Sequence, residues 1–350
     1  MSSRLFSRVA SSTCSRAILP PRWTFFLILL TLLCLSACSS LSRKESNPWA
    51  EIKKPASLEP GKSEAIGFYS TGCLSGGTEL PVSGAFWEFV NSSRNRYYGH
   101  PDSHLFLEKL GFFAFPYGKL LLGDISQPAG GPTSYGHASH QLGLDIDIRF
   151  GFTHGILPQE AREGYPLLPV AMHYMDVKDS EGGQKQFRLV NELTADWSPV
   201  YGELIRESAL YPRTDRIFVS PPIKKAVCEQ FRRPDARGAY RYPQWLSKVR
   251  PYYEHNAHFH VRLLCPEGNT RCETQKPVAP DPTDPSQVGC LGSELGWWFE
   301  ADPTKPGFLR DSMEEYIKRG GAPAPSTTLD WKSKHDKLPP ACLELLKAAE

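Results

Sequence analysis

Two stretches of this sequence alternate apolar and polar residues with a period of two, and they constrain the fold more than anything else in the chain. In residues 144–150, Leu144, Ile146 and Ile148 alternate with Asp145, Asp147 and Arg149. In residues 258–264, His258, His260 and Arg262 share one face while Phe259, Val261 and Leu263 share the other. Successive side chains of a strand point to opposite faces, so each run predicts a strand with an apolar side on a core and a charged side turned to a cleft or to solvent. The surrounding pattern adds elements of both kinds. Residues 119–124 (KLLLGD) read as a strand, and residues 216–220 (RIFVS) as a short strand closed by Pro221 and Pro222. Residues 198–208 and 223–231 read as helices, and in SHLFLEKLGFFAFP the residues Leu105, Leu107 and Leu110 are expected to face a core from a short helix. The glycine-rich residues 127–136 are a loop by composition. No internal repeat with a period of about 20 to 50 residues is present.

The first forty residues are a targeting segment. Arg16 and Arg22 precede an apolar run, residues 23–37, that is short for a membrane span but suits the core of a secretory signal. It ends in Leu35-Ser36-Ala37-Cys38, which resembles a bacterial lipobox. That likeness implies a signal peptide over residues 1–37 and an acylated Cys38 at the start of the mature chain. Ser39 after it resembles outer-membrane lipoproteins, which places the protein in the periplasm on an outer-membrane lipid anchor. The alternative is an ordinary signal with Cys38 an idle thiol. Residues 38–62 are polar and proline-spotted and read as a flexible tether to a domain over residues 63–300, followed by a Pro/Lys-rich tail over residues 301–350.

Export changes how the cysteines are read. Without Cys14, Cys34 and Cys38, the nine cysteines leave Cys73, Cys228, Cys265, Cys272, Cys290 and Cys342. In an oxidising compartment six cysteines predict three disulfides, and the fifteen possible pairings stay open by arithmetic, with only Cys265 and Cys272 suggesting a local loop. A structural zinc site competes poorly, because no CxxC pair occurs. Cys342 implies that the tail is stitched back onto the domain. With 40 Lys and Arg against 38 Asp and Glu, and no long basic run, nothing points to nucleic acid. The 31 prolines, 28 glycines and 40% hydrophobic content describe a loop-rich globular protein rather than a disordered chain.

The chemistry concentrates on the polar faces of the two alternating runs and on the loop before the first, which adds His137 and His140. A catalytic zinc takes three ligands from His, Asp and Glu and keeps a fourth position for water. His140, Asp147 and His260 supply two neutral imidazoles and a carboxylate, leaving the ion a net positive charge with which to polarise water. His258 shares a strand face with His260, where it is able to take a proton or hydrogen-bond an oxyanion. Asp145 is expected to orient a ligand histidine, and His100 and His255 to neighbour the cleft. The same residues also fit a solvated polar strand edge, and spacing alone does not separate the two readings.

GHASHQLGLDIDI (136–148) and KVRPYYEHNAHFHVRLLCP (248–266) closely resemble the penicillin-insensitive murein endopeptidases. RYYGHPD (96–102), LLGDISQPAGG (121–131) and RIFVSPPIKKAVC (216–228) are similar too, so the likeness runs from about residue 67 to residue 299. The family belongs with lysostaphin-type enzymes and D-Ala-D-Ala carboxypeptidases. The resemblance implies an α+β fold with a small antiparallel sheet carrying the zinc site, flanked by helices and long disulfide-tied loops. It implies His140, Asp147 and His260 as zinc ligands and His258 as the catalytic histidine. His137 matches a histidine linked with an additional metal, but the Asp-x-x-His that would complete that second site is absent: residues 177–189 offer Asp179 and no histidine at that spacing. The implied bridges are Cys73 with Cys342, Cys228 with Cys290, and Cys265 with Cys272. The implied activity is zinc-dependent hydrolysis of D-alanyl to meso-diaminopimelyl cross-links of peptidoglycan, and of diaminopimelyl to diaminopimelyl links, insensitive to penicillin because no serine nucleophile is needed. The alternatives are a zinc D-Ala-D-Ala carboxypeptidase and a non-catalytic lipid-anchored wall-binding protein.

Overall fold

The computed structural model describes residues 46–179, 185–252, 255–278, 288–290 and 331–349, with side chains left out over 173–189. The signal peptide, Cys38, the first part of the tether and the tail before Trp331 lie outside the described residues. Its centre is a six-stranded sheet built from β1 (Trp87–Phe89), β2 (Lys119–Leu122), β3 (Asp145–Thr153), β4 (Thr214–Val219), β5 (Val249–Pro251) and β6 (His258–Leu263). The spatial order is β5-β4-β6-β3-β2-β1. The four inner strands pair antiparallel, but β5 joins β4 and β1 joins β2 in parallel. The small antiparallel sheet expected from the sequence is therefore the middle of a larger mixed sheet. Its two edges escaped notice because strands of three residues, WEF and VRP, are too short to display a period.

One face of this sheet is apolar throughout. Ile146 and Ile148 on β3, Ile217 and Val219 on β4, and Phe259, Val261 and Leu263 on β6 are all fully buried. They pack with residues of α1 (Pro101–Ala114), α2 (Pro199–Leu210) and α3 (Pro221–Phe231) in one core cluster. Each of these helices starts at a proline, which fixes φ where no intrahelical N–H bond is needed. On α1 the buried Phe106, Leu107, Leu110 and Ala114 follow the i, i+3, i+4 spacing of one helical face. Leu105, expected to join them, is exposed because it lies two residues, about 200° around the helix, from Leu107. Each fully buried Leu, Ile or Phe side chain stabilises the fold by about 1.5 to 3 kcal/mol relative to exposure.

A second apolar cluster joins the two ends of the described chain. Trp49 and Ile52 meet Ile66, Cys73 and Ala129, and the C-terminal residues Leu338, Cys342, Leu345 and Leu346 close over them. The last three of these belong to α4 (Pro340–Ala349). Trp49 is completely buried, and its indole Nε1 donates to His335 Nδ1 at 3.3 Å. Here the expected tether is corrected: from Asn47 onward it packs on the domain, because one tryptophan outweighs the polar composition around it. Gly131 makes this possible, since a Cβ there would lie 2.2 Å from the Trp49 ring. Cys73 is bonded to Cys342, Cys228 to Cys290, and Cys265 to Cys272. Among the described residues no helix is long and apolar enough to cross a membrane.

Candidate metal centre

The pairing of β3 with β6 brings the two polar faces together. Cα register sets His260 opposite Asp147, Arg262 opposite Asp145 and His258 opposite Arg149. Gly123, just after β2, leaves room for this arrangement, because a Cβ on it would lie 3.1 Å from the Asp147 Cβ. The loop before β3 carries His137 and His140 over the same face. His137, His140, Asp147 and His260 each offer one ligand atom within 4.8 Å of the others.

What these atoms can do is decided by the partners behind them. His140 Nδ1 donates to the carbonyl of Ile125 at 2.8 Å, and its backbone N–H donates to Asp145 Oδ2 at 3.1 Å. These bonds hold His140 at φ 66, a left-handed conformation that is uncommon outside glycine, and turn its Nε2 inward. His260 Nε2 donates to Asp145 Oδ1 at 2.8 Å, which leaves Nδ1 facing Asp147 Oδ1 at 3.1 Å. In both rings the outer nitrogen carries a proton, so the neutral imidazole has its lone pair on the inner one. His137 Nε2 lies 3.0 Å from Asp147 Oδ2. His258 Nε2 lies 3.6 Å from Asp147 Oδ1.

Asp145 is thus the anchor of the centre. It is fully buried, and it holds His140, His260 and Arg262, whose Nε donates to it at 2.7 Å. Burial works against its charge, but Arg262 and His260 keep its carboxyl well below the usual range. The sequence reading made it an orienter of one ligand histidine; in the structure it orients two. Asp124 is a residue the sequence reading passed over. It is buried after the apolar strand KLLL, receives Arg96 at 2.7 Å and lies 3.7 Å from His137 Nε2. The available signal was an acidic residue ending an apolar strand.

Among the described residues, three buried atoms at this centre, His140 Nε2, Asp147 Oδ1 and His258 Nε2, have no hydrogen-bond partner. Lone pairs facing one another in a buried space repel and cost free energy unless a cation answers them. The titration pattern reflects the same demand. Burial lowers the His140 pKa, yet Asp147 outweighs it and raises the group to about 9, so without a metal a proton on its inner nitrogen answers the Asp147 carboxylate. Burial pushes His137 down to about 4, and the same cause lowers His258. Asp147 stays ionised against its burial because His137 and His140 stand beside it. A donor set of imidazoles and one carboxylate, preoriented by outer hydrogen bonds, fits a transition-metal ion such as zinc.

The remaining sequence candidates fall at different distances from this centre. His255 stands beside it, its ring centroid 5.0 Å from that of His258 and 5.8 Å from that of His260. His100 instead caps α1, its Nδ1 accepting from the Asp102 N–H at 3.2 Å. Asp179 ends the first strand of a hairpin, Ala171–Asp179 with Lys185–Leu193, in a stretch whose side chains are not described.

The profile of the family described as penicillin-insensitive murein endopeptidase matches residues 65–347. A penicillin-insensitive murein endopeptidase of Haemophilus influenzae is 38% identical over 291 residues, covering 80% of this chain and 88% of that protein. One of Klebsiella pneumoniae is 37% identical over 322 residues, covering 91% and 97%. One of Escherichia coli K12 is 37% identical over 321 residues, covering 91% and 96%. Family match and near full-length relatives, on a chain whose imidazoles and carboxylates converge as described, place this protein in the penicillin-insensitive murein endopeptidase family.

Proposed function

We propose that this protein is a zinc endopeptidase that hydrolyses D-alanyl to meso-diaminopimelyl cross-links of peptidoglycan, and that His140, Asp147 and His260 hold the metal. The observation that carries the metal assignment is the convergence of one donor atom each from His137, His140, Asp147 and His260 within 4.8 Å, with His140 Nε2 and Asp147 Oδ1 buried and unpartnered. Zinc bound there supplies a Lewis acid able to polarise water and the scissile carbonyl. The protein's own groups do the rest. Asp145 and the Ile125 carbonyl hold the two ligand imidazoles in the required tautomer. His258, across from Arg149 and with its Nε2 turned inward, is placed to move a proton or to hydrogen-bond the developing oxyanion. His137 pairs with Asp147 and is more exposed than the other three, so we assign it a supporting place at this centre rather than a second metal site. None of this chemistry requires a serine that penicillin would acylate.

The test combines metal content with digestion of cross-linked sacculi. The expected result is one zinc per chain and release of monomeric muropeptides. Zinc-loaded protein that releases none would overturn the reading, and removal only of terminal D-alanine from monomeric stems would make it a carboxypeptidase. We further propose a periplasmic location with an acyl anchor on Cys38, supported by the lipobox-like Leu35-Ser36-Ala37-Cys38. Palmitate labelling that persists in a Cys38→Ser variant would exclude that anchor.

A further inference from the structure

The register that builds the metal centre continues past it. Asp147 on β3 is opposite His260 on β6, His260 is opposite Phe218 on β4, and Phe218 is opposite Arg250 on β5. All four belong to one face of the sheet, since their neighbours Ile146, Val261, Ile217 and Val249 are the buried apolar set on the other. Phe218 floors the space between, its ring centroid 5.3 Å from that of His260 and 5.5 Å from that of Tyr252. Beyond it lies an open cleft of about 460 Å³ lined by Arg216, Arg250 and Lys276 together with Phe68, Gln275 and neighbouring residues. Among the described residues lining it there are three cations and no carboxylate. Arg216 is fixed in place by Asp215 Oδ2 at 2.7 Å, and its NH2 donates to the Lys276 carbonyl at 2.7 Å, which ties the Lys276 loop to the sheet.

We propose that this cleft is a substrate subsite that receives a free carboxylate of the murein stem peptide, with Arg250 and Lys276 as the residues that recognise it. The inference rests on the murein reading above and deepens it. Strands lie about 4.8 Å apart, so the Arg250 backbone is roughly 10 Å from that of His260, the length of about three extended residues. A cross-link at diaminopimelate carries free carboxylates within that reach of the scissile bond. Guanidinium matches a carboxylate in a planar, two-bond geometry, and the lysine adds a mobile point charge from the facing loop.

The experiment measures initial rates on two synthetic cross-linked dimers, one with free diaminopimelyl carboxylates and one with those groups as carboxamides. The native enzyme is expected to prefer the carboxylate dimer by about tenfold or more in kcat/KM, the scale of one charge-assisted hydrogen bond. Arg250→Gln narrows that preference by raising KM more on the carboxylate dimer than on the carboxamide dimer. Lys276→Gln, at an exposed position where folding is not at stake, shifts the preference in the same direction. Equal loss on both dimers in both variants, or no loss on either, would overturn the subsite. A native enzyme that cleaves both dimers equally well overturns the subsite alone, whereas one that cleaves neither overturns the murein reading and the subsite with it.

Discussion

Removing the Cys73–Cys342 bridge tests how the ends of the chain support the metal centre. The two residues are 269 apart in sequence and both are fully buried. In the chain-entropy account, a loop of that length confines the unfolded chain by about 5.5 kcal/mol at 25 °C, and because the dependence is logarithmic, the nested Cys228–Cys290 bridge changes the figure by only a few tenths. At about 2 °C per kcal/mol, the lower end of the range for sizeable domains, the double variant Cys73→Ala/Cys342→Ala should melt about 10 °C lower. The consequence reaches the metal ligands. Lys334 Nζ donates to the Ala138 carbonyl at 2.6 Å, within the loop that carries His137 and His140. Gln141, next to His140, accepts from the Gly72 N–H at 3.0 Å and donates to the Ser70 carbonyl at 2.7 Å, on the hairpin that holds Cys73. Loosening the bridge therefore loosens both sides of the ligand loop. Urea unfolding of native and double-variant protein in the same metal state measures the first effect, and the rate of zinc loss to a chelator measures the second. A stability change below about 1 kcal/mol would refute the clamp, and a full stability loss with an unchanged chelation rate would refute its link to the centre.

Other substitutions separate the roles within the site. His260→Ala should lose both zinc and activity, whereas His258→Ala should keep most of its zinc and lose activity; equal zinc loss by elemental analysis would count against that division. Asp145→Asn keeps shape but removes the charge that orients His140 and His260, and zinc affinity should fall about 10- to 100-fold by competition titration. Unchanged affinity would show that the tautomers are set elsewhere. Glu88 is fully buried, and although burial opposes its charge, Ser83, Lys119 and Arg162 hold its carboxyl below the ordinary 4.5. A depressed carboxyl contributes stability above its unfolded value and loses it as the pH falls through its folded one. Glu88→Gln should therefore lower Tm at pH 6 and narrow the gap to native protein as the pH drops below about 4.5. A gap that stays constant across that range would refute it.

The parts of the fold that could be read in advance are those where burial has a period. β3 and β6 alternate because one face lies on the core and the other on the metal centre, and that asymmetry is written residue by residue. β1 and β5 carry three residues each, so nothing repeats, and their place in the sheet is settled by pairing with β2 and β4. Composition failed at residues 47–62 for a related reason. An average over charged and proline residues hides Trp49, whose burial depends on Gly131 and on α4 from the far end of the chain.

Membership of the metal centre was legible for the same reason that its orientation was not. Alternation assigns Asp145 and Asp147 to one face of β3 and His258 and His260 to one face of β6, and the pairing of the two strands makes these one surface. Which nitrogen of each ring points inward depends on the Ile125 carbonyl for His140 and on Asp145 for His260, fifteen and 115 residues away. Asp124 and Gly123 act at similar remove, the first beside His137 and the second by yielding space to Asp147. Which strand residues join the cluster is thus a property of local alternation, with His140 supplied by the loop before β3, whereas the orientation of their donor atoms is a property of tertiary hydrogen bonds. It follows that substitutions at Asp145 and the Cys73–Cys342 bridge, which leave every expected ligand in the sequence, should degrade metal binding nonetheless.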